Sequence, residues 1–496
     1  MWAMVCLRGL LVAGLAGLLP AASAASDPSA ANASYRTLFF NQTLDHFAPP
    51  SAAAPRWQHR YLLNDEYWDG RGELQNGCKG PILLYTGNEG DITGFWSSNG
   101  FMVNVLAPKW GGLLVFPEER YYGESLPFGE ASFTAENLVY LTTEQVLEDY
   151  VELVASLKKS LGAENCPVVA FGGSYGGTLT TLLRTAYPAT VVGGLAASAP
   201  VGYYDVEGWE SHGVDTYTWS DIVTRDYAEA DPSCMDAIHA ASAAVNEAPT
   251  DEVVEAFHVC DAAALGPSSQ SDLFAYALES LPQLDYPYAV GGLPAWPVNA
   301  SCSVLVQAYA SGASSSLVFA AASITKLALD IDDSGACLEA MEGPGGIPGD
   351  GPGPGNWGYQ SCTETLHEFS TREDGVRNYT FDYVASGVHP CNALFNSTVT
   401  PDTAALTRRF GGYKIGDGEA GVTNMIWSNG RLDPWSGGGF LTPVPDATSN
   451  HWVLLDKGAH HLDLRGPHPD DPEEVTNARA LEEEIIWGWI EAASRS

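Results

Sequence analysis

The sequence predicts an α/β fold, a parallel-rich sheet with covering helices, interrupted by a large and mostly helical insertion. Three observations predict it. Short aliphatic runs of strand length alternate with an amphipathic helical stretch in the N-terminal part. Beyond Pro200 the texture turns Ala- and Ser-rich, and the strand signal returns only near Met425. The chain has 496 residues, 45% of them hydrophobic, which suits a body carrying an inserted second unit.

Pro81-Ile-Leu-Leu-Tyr85, Leu113-Leu-Val-Phe116 and Val168-Val-Ala-Phe171 read as buried strands, because continuous apolar runs suit strands covered on both faces. Between the last two, Thr142 to Leu161 is apolar at Val146, Leu147, Tyr150, Val151, Val154 and Leu157, a helical period. Thr142 with Gln145 predicts a capping box, and Gly162 a C-terminal stop. Strand, helix and strand in that order imply a parallel sheet. Helical patterning follows around Cys234 to Asn246 and Val304 to Leu329, and the Gly/Pro run Gly343 to Gly355 predicts an exposed loop. Met425-Ile-Trp427 and Trp452-Val-Leu-Leu455 read as further strands. A last helix is predicted from Asp471-Pro472, with Glu474 completing its cap and Val475, Ala478, Ile485 and Trp489 facing the core. The expected division is residues 25–200 for the first part of the body, 201–355 for the helical insertion and 356–496 for the rest of the body.

At the N-terminus, Arg8 precedes an apolar stretch from Leu10 to Leu19, and Ala22-Ser23-Ala24 supplies a small-x-small cleavage site. The stretch is shorter than the roughly 20 residues that span a bilayer, so residues 1–24 read as a signal peptide. Sequons at Asn32, Asn41, Asn299, Asn378 and Asn396 are glycosylation acceptors if the chain enters the secretory route. Cys6 lies in the signal segment, and the eight remaining cysteines suggest disulfides whose pairing the sequence leaves open. They include no CxxC pair, which argues against structural zinc. The formal net charge of -38 repels phosphates and anionic membranes, so neither nucleic acid nor membrane is expected as a partner. The expected location is a lysosome, a vacuole or the extracellular space.

The chemistry centres on Ser174. Val168 to Phe171 runs directly into Gly172-Gly173-Ser174-Tyr175-Gly176-Gly177, and Thr178 to Ala186 reads as a helix ended by Tyr187-Pro188. Strand, sharp turn and helix are what a nucleophile elbow requires, with glycines allowing the tight turn. The serine then sits at a helix N-terminus, where backbone N–H groups stabilise a developing oxyanion. A serine nucleophile needs a base, and the base an orienting acid. Asp433 follows the strand ending near Trp427, and His460-His461 follows the strand Trp452 to Leu455. The order Ser, Asp, His is that of α/β-hydrolases, so the fold class sharpens to an α/β-hydrolase with a helical cap over its active site. Spacing alone does not choose between His460 and His461. Asp463 and Arg465 read as a buried structural pair holding the loop. A cap restricts access and favours short peptides or chain ends as substrates.

Separated stretches support a family resemblance: Leu44-Asp-His-Phe47, Tyr85-Thr-Gly-Asn-Glu-Gly-Asp91, Arg120-Tyr-Tyr-Gly123 with Ser125-Leu-Pro-Phe128, and Phe171 to Gly177. Leu195-Ala-Ala-Ser-Ala-Pro200, Asp285-Tyr-Pro-Tyr288, Tyr359-Gln-Ser-Cys-Thr-Glu364, Ser428 to Gly439 and Gly458 to Arg465 continue it. From Leu44 to the C-terminus the chain resembles the S28 family of serine peptidases, the Pro-Xaa carboxypeptidases and dipeptidyl peptidases II. The resemblance implies Ser174 as nucleophile, Asp433 as acid and His460, the first of the pair, as base. It implies oxyanion donors at the backbone of Tyr175 and Gly87, and a substrate-end loop containing Asn88 and Glu89. It also implies that Trp435 walls a proline pocket, where a flat indole packs a rigid pyrrolidine ring.

Two departures from the resemblance stand out. Glu119 occupies a position that is usually histidine, and Thr178 one that is usually a pocket-lining methionine. A short hydroxyl side chain there predicts a wider pocket and a looser proline preference. The expected activity is exopeptidase cleavage after proline, with peptide substrates, no metal or organic cofactor, and a homodimer allowed. A carboxypeptidase needs a cation for the terminal carboxylate, and a dipeptidyl peptidase an acid for the terminal amine. Leu293-Pro-Ala-Trp-Pro297 and Gly162-Ala-Glu-Asn165 look more like the carboxypeptidase branch, which is the reading adopted. His468-Pro-Asp-Asp-Pro472 looks more like the dipeptidyl branch. An esterase or lipase on the same fold and a catalytically inert binding protein are the alternatives.

Overall fold

Apolar four- to six-residue runs become central strands here because both of their faces are covered. The computed structural model describes residues 28–49, 54–260, 269–329, 337, 356–395, 399–444 and 449–495. The predicted signal segment, the Gly343 to Gly355 loop and the Asn396 sequon lie outside them. Eight strands among the described residues form one sheet: β1 (Arg36–Thr43), β2 (Arg56–Asn64), β3 (Ile82–Tyr85), β4 (Leu113–Pro117), β5 (Val168–Gly173), β6 (Gly193–Ala197), β7 (Met425–Gly430) and β8 (His451–Leu455). Their spatial order is β1-β2-β4-β3-β5-β6-β7-β8. The β1–β2 and β2–β4 pairs are antiparallel, and every pairing from β4 to β8 is parallel. This is the α/β-hydrolase arrangement expected from the sequence, with a two-strand antiparallel edge added.

The covering helices begin with α1 (Thr143–Leu161) and α2 (Tyr175–Ala186). Thr142 caps α1 by accepting from the Gln145 amide, and Gly162 ends it with a left-handed φ of 62°. The capping box is half formed. Gln145 does not reach back to Thr142; its side chain donates to Asp45 Oδ1 at 2.7 Å and accepts from the His46 amide at 2.9 Å. The helix start is thereby tied to the segment after β1.

Between β6 and β7 the described residues carry helices and no strand. α3 (Thr218–Ala230), α4 (Cys234–Glu247), α5 (Ser269–Ser280), α6 (Pro297–Ser311) and α7 (Ser314–Ala328) pack on one another. The helical stretch expected over Val304 to Leu329 is two helices, broken where Gly312 takes a φ of 70°. α3 also packs on the turn Pro434–Gly438 beyond β7. α8 (Asn356–Thr363) contacts the sheet side instead, with Asn356 Nδ2 donating to the Tyr121 carbonyl at 2.9 Å and Trp357 edge-on to Tyr175.

The C-terminal helix α9 (Glu473–Ser494) buries Val475, Ala478 and Trp489 as expected, with Ile486 rather than Ile485 fully inside. Glu474 does not cap it; its carboxylate accepts from the Lys457 amide across the β8 turn. β6 was illegible as a strand because Gly193-Gly194 has poor strand propensity. The glycines are there for packing. A Cβ on Gly193 would lie 2.3 Å from the Trp489 ring of α9, and one on Gly194 2.7 Å from Thr180 of α2.

The eight cysteines pair as Cys78–Cys166, Cys234–Cys302, Cys260–Cys337 and Cys362–Cys391. Such a complement belongs to a chain folded in an oxidising compartment. The sequons at Asn32, Asn41, Asn299 and Asn378 are exposed. Among the described residues no helix is long and apolar enough to cross a membrane. Replacing Cys78 and Cys166 together by Ala opens a closure spanning 88 residues. Chain entropy predicts a loss of about 4.6 kcal/mol, read as a lower unfolding midpoint in urea; an unchanged midpoint would show that this link adds no stability.

Candidate active site

β5 ends at Gly173, α2 starts at Tyr175, and Ser174 between them has φ 58° and ψ −132°. A non-glycine residue adopts such a backbone only when its surroundings impose it. The Ser174 amide donates to the Ala197 carbonyl of β6 at 2.9 Å, and its carbonyl accepts from the Thr178 amide at 3.1 Å. Neighbouring glycines allow the turn to close. A Cβ on Gly172 would sit 2.1 Å from the Gly176 carbonyl oxygen, and one on Gly173 2.9 Å from the His461 ring. Ser174 is partly exposed at the start of α2. The Tyr175 amide, first in that helix, has no intrahelical acceptor.

Asp433 lies three residues past β7 and is fully buried. A buried carboxylate is costly without donors, and this one has two. Its Oδ1 accepts from the Trp435 amide at 3.1 Å, and its Oδ2 faces His460 Nδ1 at 2.8 Å. The His460 backbone is held on both sides by the chain just after α5: its amide donates to the Gln283 carbonyl at 3.0 Å, and its carbonyl accepts from Tyr286 OH at 2.9 Å. With Nδ1–H directed at the carboxylate, Nε2 is the nitrogen able to accept a proton.

His461 is different. Its amide donates to Ser198 Oγ at 2.8 Å, and its ring packs over Gly173. Burial, reinforced by His460 and Arg465, pushes its imidazole pKa well below the usual value, so it stays neutral. Geometry therefore separates two histidines that spacing could not. Asp463 and Arg465 are both buried, as expected, and reach different partners. Asp463 accepts from Ser428 Oγ, while Arg465 donates to Ser29 Oγ at 3.1 Å and lies over the Tyr286 ring. Each has found a partner on a different element that the loop must touch.

The loop after β3 is tightly fixed. Tyr150 OH donates to the Gly87 carbonyl, Tyr85 OH to Asn88 Oδ1 at 3.1 Å, and Asn88 Nδ2 to Glu89 Oε2 at 2.9 Å. Asn88 and Glu89 are buried, and Asn88 Oδ1 lies against Gly176 of α2. Thr178 has no solvent-accessible surface, and its hydroxyl has no hydrogen-bond partner. It is enclosed by protein rather than set on an open pocket wall, which differs from the expected lining role. Trp435 is half-buried, and its indole N–H donates to Gln283 Oε1 at 3.0 Å.

Sequence reasoning missed the company Trp435 keeps. Tyr203, Trp219, His367 and Phe369 surround it with ring centroids 5.2 to 6.2 Å away. They come from three places along the chain, His367 and Phe369 being two residues apart, and no local periodicity links the three. Gln360 was also missed, although it lies inside the Tyr359 to Glu364 motif. It joins Glu119 to Tyr175. The signal was present as a motif, but its contact partners were not.

The family model described as Serine carboxypeptidase S28 matches residues 42–482. The lysosomal Pro-X carboxypeptidase of Homo sapiens is 36% identical over 506 residues, covering 99% of this chain and 95% of that protein. Prolyl carboxy peptidase like protein 5 of Caenorhabditis elegans is 34% identical over 467 residues, covering 88% of this chain and 87% of that one. The thymus-specific serine protease of Homo sapiens is 24% identical over 463 residues, covering 88% of this chain and 84% of that protein.

The histidine loop rests on an acid, Glu482 of α9, that is fully buried beside Asp463. Burial, then the charge and contact of Asp463, push its carboxyl well above the usual range, and Arg479 only partly opposes this. A raised carboxyl stabilises the fold fully below its unfolded pKa, and that contribution is lost as pH rises toward the folded pKa. Glu482→Gln should therefore melt like the parent near about pH 4 and a few degrees higher at about pH 7. A pH-independent gap in melting temperature would contradict the assignment.

Proposed function

The chain belongs to the serine carboxypeptidase S28 family, and from that premise we propose that it is a post-proline exopeptidase using Ser174, His460 and Asp433. The observation that carries this reading is the buried 2.8 Å contact of His460 with Asp433, on a loop whose next residue, His461, packs over Gly173 at the turn that holds Ser174 at a φ of 58°. Ser174 Oγ attacks the scissile carbonyl carbon while His460 Nε2 takes the hydroxyl proton. The same proton passes to the leaving amine as the peptide bond breaks, leaving an acyl-enzyme. A water then attacks the ester, giving its proton to His460, which returns it to Ser174 as the acyl product leaves. Asp433 holds the imidazole tautomer and stabilises the imidazolium. The amides of Tyr175 and Gly87 are the proposed donors to the oxyanion.

The proline preference is supported by the rigid aromatic surroundings of Trp435, whose indole is braced edge-on or tilted by neighbouring rings and offers a flat apolar face suited to a pyrrolidine. Similarity to a Pro-X carboxypeptidase over nearly the whole chain supports release of a C-terminal residue. Glu89, a carboxylate on the loop beside α2, favours the second reading, capture of a free amine by a dipeptidyl peptidase. We take residues 201–355 as the cap and residues 1–24 as a signal peptide, and propose delivery to the lysosome; the four disulfides support the secretory route.

Two substrates distinguish the readings: an N-blocked acyl-Pro-Phe and a free-amine Xaa-Pro-fluorophore. The first should be cleaved and the second spared; the reverse result would assign the dipeptidyl activity. A proline-to-alanine rate ratio near one would remove the proline claim. Ser174→Ala should lower kcat by about 10⁴-fold or more, and Asp433→Asn by about 10⁴-fold. Normal turnover in either variant would exclude this set of residues.

A further inference from the structure

Glu119 lies two residues past β4, is fully buried, and takes no part in the reaction just described. Its Oε1 accepts from Gln360 Nε2 at 3.1 Å, while its Oε2 has no hydrogen-bond partner. Gln360 Nε2 also donates to Tyr175 OH at 3.1 Å, and Gln360 Oε1 accepts from Tyr122 OH. Thr143 Oγ1 lies 3.3 Å from the same Tyr175 hydroxyl. A hydrogen-bonded chain thus runs from Glu119 through Gln360 to the side chain of the residue that follows Ser174.

We propose that Glu119 is a positioning residue of the reaction, holding Tyr175 and hence the oxyanion-binding start of α2 through Gln360, and that it does so as the neutral acid. The inference rests on Ser174 being the nucleophile. An ionised Glu119 would have a single neutral protein donor, Gln360 Nε2, and nearby cations are committed elsewhere. The Arg120 guanidinium is bound to Asp149 by Nε–Oδ2 and Nη2–Oδ1 contacts of 2.7 Å, and Arg409 is bound to Glu364 and Glu144. The groups facing Glu119 are Glu89 from the loop after β3, Glu364 and Gln360 from α8 and its end, Tyr150 from α1, Tyr175 from α2, and Arg120 and Tyr122 on its own segment. Burial first and Glu89 second push the Glu119 carboxyl well above the usual range, with Glu364 adding to them and Gln360 and Arg120 opposing. As pH rises through that raised value, a negative charge appears behind the oxyanion donor and pulls on the Gln360 amide. Activity should then fall on the alkaline side.

The test is the profile of kcat/KM from about pH 4 to about pH 9 for the parent, Glu119→Gln and Gln360→Leu, with melting temperatures recorded alongside. Glu119→Gln should move the alkaline limb upward, raising the ratio of activity at about pH 8 to that at about pH 5 by about tenfold. Gln360→Leu removes the donor that favours the ionised form, so its alkaline limb should also move upward, with a lower kcat throughout. Profiles of both variants superimposable on the parent after scaling overturn the proposal. If Glu119→Gln does not fold, an unmoved limb in Gln360→Leu overturns it alone. Fluorophosphonate labelling with a Ser174→Ala control keeps the two readings apart. An active Ser174→Ala removes the nucleophile assignment, whereas an inactive one with an unmoved limb in the Glu119 variant removes only the present inference.

Discussion

Ser174 is held in a left-handed backbone conformation between the end of β5 and the start of α2, and the rest of the site is arranged around keeping it there. The conformation costs on the order of 1–3 kcal/mol for a residue with a side chain. It persists because the surroundings leave no alternative. The Ser174 amide is bound to β6, α2 folds back so closely that Gly172 can carry no Cβ, and the histidine loop closes on Gly173. Each of these contacts requires β6, α2 and the loop after β8 to be in register. The parallel order β5-β6-β7-β8 supplies that register and brings three strand ends to one edge.

The second organising feature is a heavy load of buried acid. The chain carries a formal net charge of -38, yet several carboxyls lie inside the fold rather than in water. They divide by partner. Asp149 is clasped by Arg120 and stays below the usual carboxylate range despite its burial. Glu119 and Glu482 lack such a cation, and burial with a neighbouring acid drives both upward. Asp226 and Asp285, near the loop that holds His460, are pushed up to about 7, chiefly by burial. A fold of this kind is most at ease where acids are protonated, which agrees physically with an acidic compartment.

The helical segment between β6 and β7 also touches the candidate site. Gln283 and Tyr286, just beyond α5, grip the His460 backbone, and Gln283 also anchors the Trp435 indole. Trp219 of α3 packs edge-on to Trp435. The proposed base and the proposed aromatic wall are thus braced by the same segment, so movement of that segment would shift both together.

Sequence alone determined the local units. A run such as Val168 to Phe171 can be satisfied only inside a sheet, glycines around Ser174 permit only a tight turn, and an amphipathic period over Thr142 to Leu161 requires a helix. It also determined the chain order of Ser174, Asp433 and the histidine pair, and through its motifs the family. The antiparallel edge was not legible, because Arg, Gln and His interrupt β2, nor was β6, whose glycines answer to Trp489 and Thr180. Tertiary structure decided which histidine meets Asp433, that Asp463 and Arg465 turn to different partners, and that Thr178 is enclosed. It alone joined Glu119 to Tyr175 through a residue more than 180 positions from either. Propensity and periodicity act between residues a few positions apart. Hydrogen-bond choice, burial and charge depend on what the fold brings near, and the pattern along the chain carries no record of it.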